Sequence, residues 1–202
     1  MSIFISSDLH AFHKNIPIYC KDSRGHFVDK IDDMNQTLIT NINSKVTDND
    51  TFIIAGDIGF GKPGPIMEFL KALNGEKIIV WGNHDRRLRA SPEFESMKGL
   101  AGVRLATHYY DFHHNHCDTK RMVAVSHFPL YVWDGMAHGT IMLHGHCHSA
   151  KENRDTFGPE VRCMDIGMDG NDLMPYNMDD IVSMMSSRGM RYHGHHDENQ
   201  NP

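Results

Sequence analysis

The chain has 202 residues, 40% hydrophobic and 23% charged, enough to bury a sizeable core in one α/β unit and typical of a soluble globular protein. A formal net charge of −6 argues against a broad nucleic-acid-binding surface. No apolar run reaches transmembrane length and no basic leader precedes Ile3-Phe4-Ile5, so neither a membrane span nor a signal peptide is expected. Four widely spaced cysteines with no CxxC pair are expected to be reduced thiols in a cytoplasmic protein, and sixteen histidines are the compositional anomaly.

Ser2 to Ser7 predicts a first strand ending at Asp8. Residues 8 to 30 are polar and loop-like. Ile31, Met34, Leu38, Ile42 and Val46 then recur at three- and four-residue steps, the apolar face of a helix. Thr51 to Ala55 predicts a second strand ending at Gly56-Asp57. After a glycine-rich loop, Pro65 is placed to open a helix carrying Ile66, Phe69, Leu70 and Leu73. Lys77 to Trp81 predicts a third strand, running into Gly82-Asn83-His84-Asp85. Ser91-Pro92-Glu93 is a helix start, with an N-cap followed by proline. Beyond Gly102 the candidate strands are Val103 to Thr107, Tyr109 to Phe112, Met122 to Ser126, Thr140 to Leu143 and Val161 to Ile166. A last helix is expected over Met178 to Ser186. Residues 1–190 are expected to form a single domain, and 191–202, with His193, His195 and His196, a polar tail.

Strands alternating with helices imply parallel pairing, which places ligands outside the carboxyl ends of the strands. Asp8, Asp57 and Asn83 each follow such an end, as do His127 and the pair His146 and His148. A single polar residue there is usually a turn residue. Five strand ends that each deliver a metal-capable side chain form a constellation. Two carboxylates, an amide oxygen and several imidazoles suit manganese foremost, or iron, zinc, nickel or cobalt, better than calcium. The set is too large for one four-coordinate ion and fits two divalent transition ions sharing a carboxylate. Such a pair leaves a cationic cleft suited to phosphate and can activate water as hydroxide.

The ordered set Asp8-x-His10, Gly56-Asp57, Gly82-Asn83-His84-Asp85, Ser126-His127 and Gly145-His146-Cys147-His148 resembles the calcineurin-like metallophosphoesterase superfamily over residues 2 to about 170. The stretch Asp8-Leu9-His10-Ala11-Phe12-His13-Lys14-Asn15 is similar to the opening of small bacterial and phage members. The resemblance implies an α/β fold, a four-layer α/β/β/α sandwich with a dimetal site at the carboxyl ends of the strands. It implies that Asp8, His10, Asp57 and His148 hold one ion and that Asp57, Asn83, His127 and His146 hold the other. His84 would be the general acid and Asp85 its orienting partner. The implied partner is a small phosphoester substrate, nucleotide or nucleic acid included. A nuclease, a Ser/Thr-type protein phosphatase and a non-catalytic scaffold of the same fold are alternatives. A metal-storage or sensor protein built on the histidine content is another.

The protein-phosphatase branch carries an Asp-Arg pair downstream of its Gly-Asp, which Gly56-Asp57-Ile58-Gly59-Phe60-Gly61 lacks. Replacements for that phosphate clamp are sought in His13, Lys62, Arg86 and Arg87, alongside Asn83 and His84. Strand alternation predicts that Cys147 points away as a packed thiol. His144 is expected to support the ligands beside it.

Overall fold

The computed structural model describes residues 1–117 and 119–190, and the expected tail at 191–202 lies outside them. In it the short β-branched runs of the first half are parallel strands. β1 (Ile3–Ser6), β2 (Thr51–Ile54), β3 (Glu76–Val80) and β4 (Val103–Thr107) lie side by side in the order β4-β3-β2-β1. In the second half, β5 (Tyr110–His116) and β6 (Thr119–Val125) form an antiparallel hairpin. β7 (Ile141–His144) and β8 (Cys163–Asp165) then add in parallel to give a second sheet, β5-β6-β7-β8. A two-residue strand, β9 (Tyr176–Asn177), returns to the first sheet antiparallel to β1.

The strands of the first sheet are apolar on both sides because both sides are covered. Phe4, Phe52, Ile54, Ile79 and Trp81 pack against the apolar faces of helices Ile31–Asn43, Pro63–Ala72 and Pro92–Met97. Ile5, Ile53, Ile78 and Val80 point the other way, onto Val123, Val125, Ile141 and Leu143 of the second sheet and onto Met178, Ile181 and Val182 of the last helix, Met178–Ser186. The second sheet's far face carries Ala124, Met142 and Cys163 beneath Trp133 and Met136.

The helix starts follow local chemistry. Ser91 Oγ accepts from the Phe94 N–H at 3.1 Å, with Pro92 in the first turn. The Pro63–Ala72 helix begins two residues before Pro65, because Pro63 tolerates the first-turn position equally well. Residues 16–27 contain three short helical turns, Ile16–Tyr19, Lys21–Arg24 and Gly25–Phe27, that no apolar period announces.

Candidate metal centre

The loops leaving the strand ends are stitched together by backbone hydrogen bonds. The Asp8 N–H donates to Gly56 O (3.0 Å), His10 N–H to Asp57 O (2.9 Å), Gly145 N–H to His127 O (3.0 Å) and Ser7 N–H to Ile166 O (3.1 Å). This brings together the side chains that the sequence disperses over 140 positions. Asp8, His10, Asp57, His146 and His148 all have positive φ, between 50° and 73°. That conformation is uncommon for residues with a Cβ and persists where surrounding contacts impose it. The close approach also demands glycine. A Cβ on Gly56 would lie 2.6 Å from His127 Nδ1, and one on Gly82 would strike the Asp57 carboxylate.

Two groups of donor atoms result. In the first, His10 Nε2 lies 3.1 Å from His148 Nε2, 3.6 Å from Asp57 Oδ2 and 3.9 Å from Asp8 Oδ1, and His148 Nε2 lies 3.7 Å from Asp8 Oδ1. In the second, His127 Nε2 lies 3.4 Å from Asp57 Oδ2 and 2.9 Å from Asn83 Oδ1, and His146 converges on the same Asp57–His127 pair. Metal–ligand bonds of about 2.0–2.2 Å put neighbouring donors roughly 3–3.5 Å apart, so both groups have the right scale for a cation. One atom, Asp57 Oδ2, belongs to both.

The donor set fits metal ions on a further count. Asp8 is fully buried; its Oδ2 accepts from the Ser7 hydroxyl and from the His146 N–H at 2.9 Å, while its Oδ1 is buried without a hydrogen-bond partner. A buried unpartnered carboxylate oxygen is costly unless a cation meets it. Burial, only partly offset by His148 and His127, pushes the Asp8 carboxyl up to about 6. Burial and the adjacent His148 hold His10 down to about 2, keeping its imidazole neutral as a ligand must be. Burial would raise Asp57 too, but the hydrogen bond and charge of His127 and the His84 N–H outweigh it, and its carboxyl falls to about 2.

His84 follows the donor Asn83 without joining either group. Its backbone N–H donates to Asp57 Oδ1 (2.9 Å), its side chain is 40% exposed, and its Nε2 is 4.0 Å from Asp57 Oδ2. The ring sits edge-on to His10 and His13, with centroids 5.4 and 6.2 Å away. Asp85 is elsewhere. Its oxygens accept from the backbone N–H groups of Asp57, Ile58 and Gly82, each at 2.9 Å, and it is 1% exposed. The expected orienting contact to His84 is therefore replaced by one that clamps the β3 loop to the β2 loop. Burial raises the Asp85 carboxyl to about 6 against those three donors. Arg86 and Arg87 are exposed beside His84, and Lys62 is exposed at the start of the helix that follows the glycine-rich loop. His144 is fully buried, its Nε2 2.6 Å from Thr156 Oγ1 and its Nδ1 2.8 Å from Gly145 O. Cys147 is exposed and not packed, because the left-handed turn at His146 ends the strand alternation on which that expectation rested.

Sequence reasoning missed the support behind His148. Asp169 Oδ2 lies 2.8 Å from His148 Nδ1, and Asp169 Oδ1 accepts from Arg24 Nε at 2.7 Å. Arg24 is completely buried and also donates to Asp8 O (2.7 Å) and Leu9 O (2.8 Å). One guanidinium thus ties the Asp8 loop to the carboxylate behind His148. Arg24→Ala should destabilise the fold by about 3–5 kcal/mol, since it breaks a buried ion pair and leaves the carbonyls of Asp8 and Leu9 without their donor. Urea denaturation measures this, and a loss under about 1 kcal/mol would contradict it.

The profile of the calcineurin-like phosphoesterase family matches residues 1–183. Over 86 residues the chain is 37% identical to the uncharacterized protein MJ1445 of Methanocaldococcus jannaschii, an alignment covering 42% of this chain and 47% of that one, so the match spans about half the relative's length. A protein of unknown function from Aquifex aeolicus, AQ665, shares the fold, with a TM-score of 0.66 and 20% identity over 91% of this chain and 98% of its own. An archaeal phosphodiesterase superposes with a TM-score of 0.43 and 18% identity over 83% of this chain and 84% of its own. No helix among the described residues is long and apolar enough to cross a membrane. With the profile spanning residues 1–183, both sheets and the whole cluster at their edge, the chain belongs to the calcineurin-like phosphoesterase family.

Proposed function

We propose that the chain is a dimetal phosphoesterase acting on small phosphate mono- or diesters of nucleotide type. Asp8, His10, Asp57 and His148 would hold one divalent transition ion, and Asp57, Asn83, His127 and His146 the other. The observation that carries this reading is the double membership of Asp57 Oδ2, 3.6 Å from His10 Nε2 and 3.4 Å from His127 Nε2. Bound there, the ions supply Lewis-acid polarisation of the phosphoryl oxygens and an activated water. The chain's own residues do the rest. Asp57 and the His84 backbone N–H fix the shared edge of the two groups. Asn83 orients the phosphoryl group, His13 flanks it, and Arg86 stands on the substrate's leaving-group side. His84 gives its proton to the departing oxygen, its exposed ring free to face that side of the phosphorus. The absent Asp-Arg pair after Asp57 makes phosphoproteins poor substrates.

A screen of mono-, di- and cyclic phosphates with the metal-reconstituted protein tests this. Hydrolysis of aryl phosphates and nucleotides, best with Mn²⁺ or a similar ion and abolished by chelator, is expected. Phosphopeptides turned over far faster than nucleotides would overturn the substrate class, and no metal-dependent turnover at all would overturn the enzyme.

Metal binding should release protons. Burial opposes a charge on His148, but hydrogen bonds with Asp169 and Cys20 and the charge of Asp8 together more than compensate and carry the imidazole up to about 11. A group so raised keeps its proton throughout the neutral range, and a cation must displace it. Apparent affinity should therefore climb from pH 6 to pH 9, by up to about tenfold per unit for each proton displaced. Calorimetry in buffers of differing ionisation enthalpy reads the proton count, and a pH-independent affinity across that range would refute the assignment.

A further inference from the structure

Beside His84 lies a cavity of about 460 Å³ that shares Asn83 and His84 with the metal centre. Its floor is apolar, made by Ile66 and Leu88, each 2% exposed. Phe60 forms a wall and is 49% exposed, yet it is not loosely held. Gly59 bridges to Ala11 across the loop, the Phe60 N–H donates to Ala11 O at 2.8 Å, and the ring rests edge-on against His13 at 4.6 Å. At the mouth, Arg86 and Arg87 are both solvent-exposed. The cavity thus combines a fixed aromatic face, an apolar base and two cations, directly beside the proposed proton donor.

We infer that this cavity is the leaving-group subsite and that it takes a nucleotide, with the base on Phe60 and a further phosphate on Arg86 and Arg87. The inference rests on the phosphoesterase reading above and narrows it to phosphodiesters whose leaving alcohol is itself a nucleotide. A general acid must reach the departing oxygen, so the space that shares His84 receives what departs. A bare alkyl or sugar alcohol would leave the aromatic and apolar walls unused. A base stacks on any aromatic face, and a guanidinium pairs with phosphate in a two-point geometry. The volume suits one nucleotide-sized group, and the net charge of −6 disfavours a long polyanion, so the fitting substrate is a dinucleotide or short single strand. In the reaction, water oxygen bonds to phosphorus and the phosphorus–oxygen bond to the leaving nucleotide breaks, its electron pair remaining on that oxygen. His84 protonates that oxygen. One proton of the water replenishes His84, and the other leaves with the phosphate product or to solvent.

The test compares four substrates on the Mn²⁺-loaded protein: a dinucleotide with a phosphate at its leaving-side end, its analogue lacking the leaving-side base, its analogue lacking the terminal phosphate, and bis(p-nitrophenyl) phosphate. Wild type should favour the complete dinucleotide by about tenfold or more in kcat/KM over either truncated one. Phe60→Ala should erase the preference for the base while retaining that for the phosphate. Arg86→Gln with Arg87→Gln should do the reverse. Phe60→Leu, which keeps an apolar side chain without a stacking face, should behave like Phe60→Ala and separates stacking from any loss of folding. Equal kcat/KM for all three nucleotide substrates, or a base preference that survives both Phe60 variants, overturns the subsite while hydrolysis of bis(p-nitrophenyl) phosphate upholds the enzyme. Failure to hydrolyse any of the four overturns both.

Discussion

Asp57→Ala should give a folded protein with no measurable phosphoester hydrolysis and a metal content well below the about two ions per chain expected of the native protein. The carboxylate is the single group common to both donor sets, so its loss removes a ligand from each and the negative charge between them. Asn83, His127 and His146 would then be left as a neutral trio, a poor competitor for a divalent ion against water. The variant costs the His84 N–H its acceptor, Asp57 Oδ1, but folding should survive because the loop is also held through its backbone. The Asp57 backbone N–H is held by the Asp85 carboxylate at 2.9 Å, and its carbonyl accepts from the His10 N–H at 2.9 Å. Asp57→Asn is the sharper variant, since it keeps the shape and one carbonyl oxygen but not the charge. Elemental analysis and turnover of p-nitrophenyl phosphate decide the matter. Two ions retained with near-native activity in either variant would end the shared-carboxylate reading.

The parts of this arrangement that were legible in the sequence share one property: each lies just past an apolar, β-branched run. Asp8, Asp57, Asn83, His127, His146 and His148 could be proposed as neighbours because parallel strands end on the same side, and the structure does gather them there. What escaped depends on contacts between chain positions with no local pattern. Arg24 lies in a polar stretch whose helical turns are too short to show a period, and its partner Asp169 is 145 residues away. Asp85 adjoins His84 in sequence, which made an orienting role attractive. In three dimensions its carboxylate turns to the backbone of the β2 loop, whose N–H groups would otherwise be buried without partners. The hairpin of β5 and β6 runs several residues longer than predicted at its turn end. Its alternation of Phe112, His114 and His116 against exposed residues has the strand period, but histidines mark the inward positions more weakly than aliphatic residues do. His114 there contacts Asp179 on the last helix at 2.7 Å, an attachment that no short-range signal announces.

His84→Ala should retain the metals and lower kcat by roughly 10²–10⁴-fold on substrates with alkyl or sugar leaving groups. An alkoxide is a poor leaving group, and its departure needs a proton in the transition state, whereas p-nitrophenolate leaves without one. The same variant should therefore damage p-nitrophenyl phosphate much less. The side chain is suited to this because it holds no structural post: only its backbone N–H is bonded to Asp57, at 2.9 Å, while its Nε2 stands 4.0 Å from the shared oxygen. Its orientation comes from ring-edge contacts with His10, His13 and Phe60 and not from a carboxylate. His84→Gln, which keeps a hydrogen-bond donor without a transferable proton, should consequently fall with His84→Ala on alkyl substrates. The competing accounts predict other patterns. A turn residue would leave kcat near wild type with both leaving groups. A metal ligand would show lost metal together with equal damage to both. Metal content and kcat measured for the two leaving groups separate these outcomes, and equal losses with the metal intact would rule out proton donation by His84.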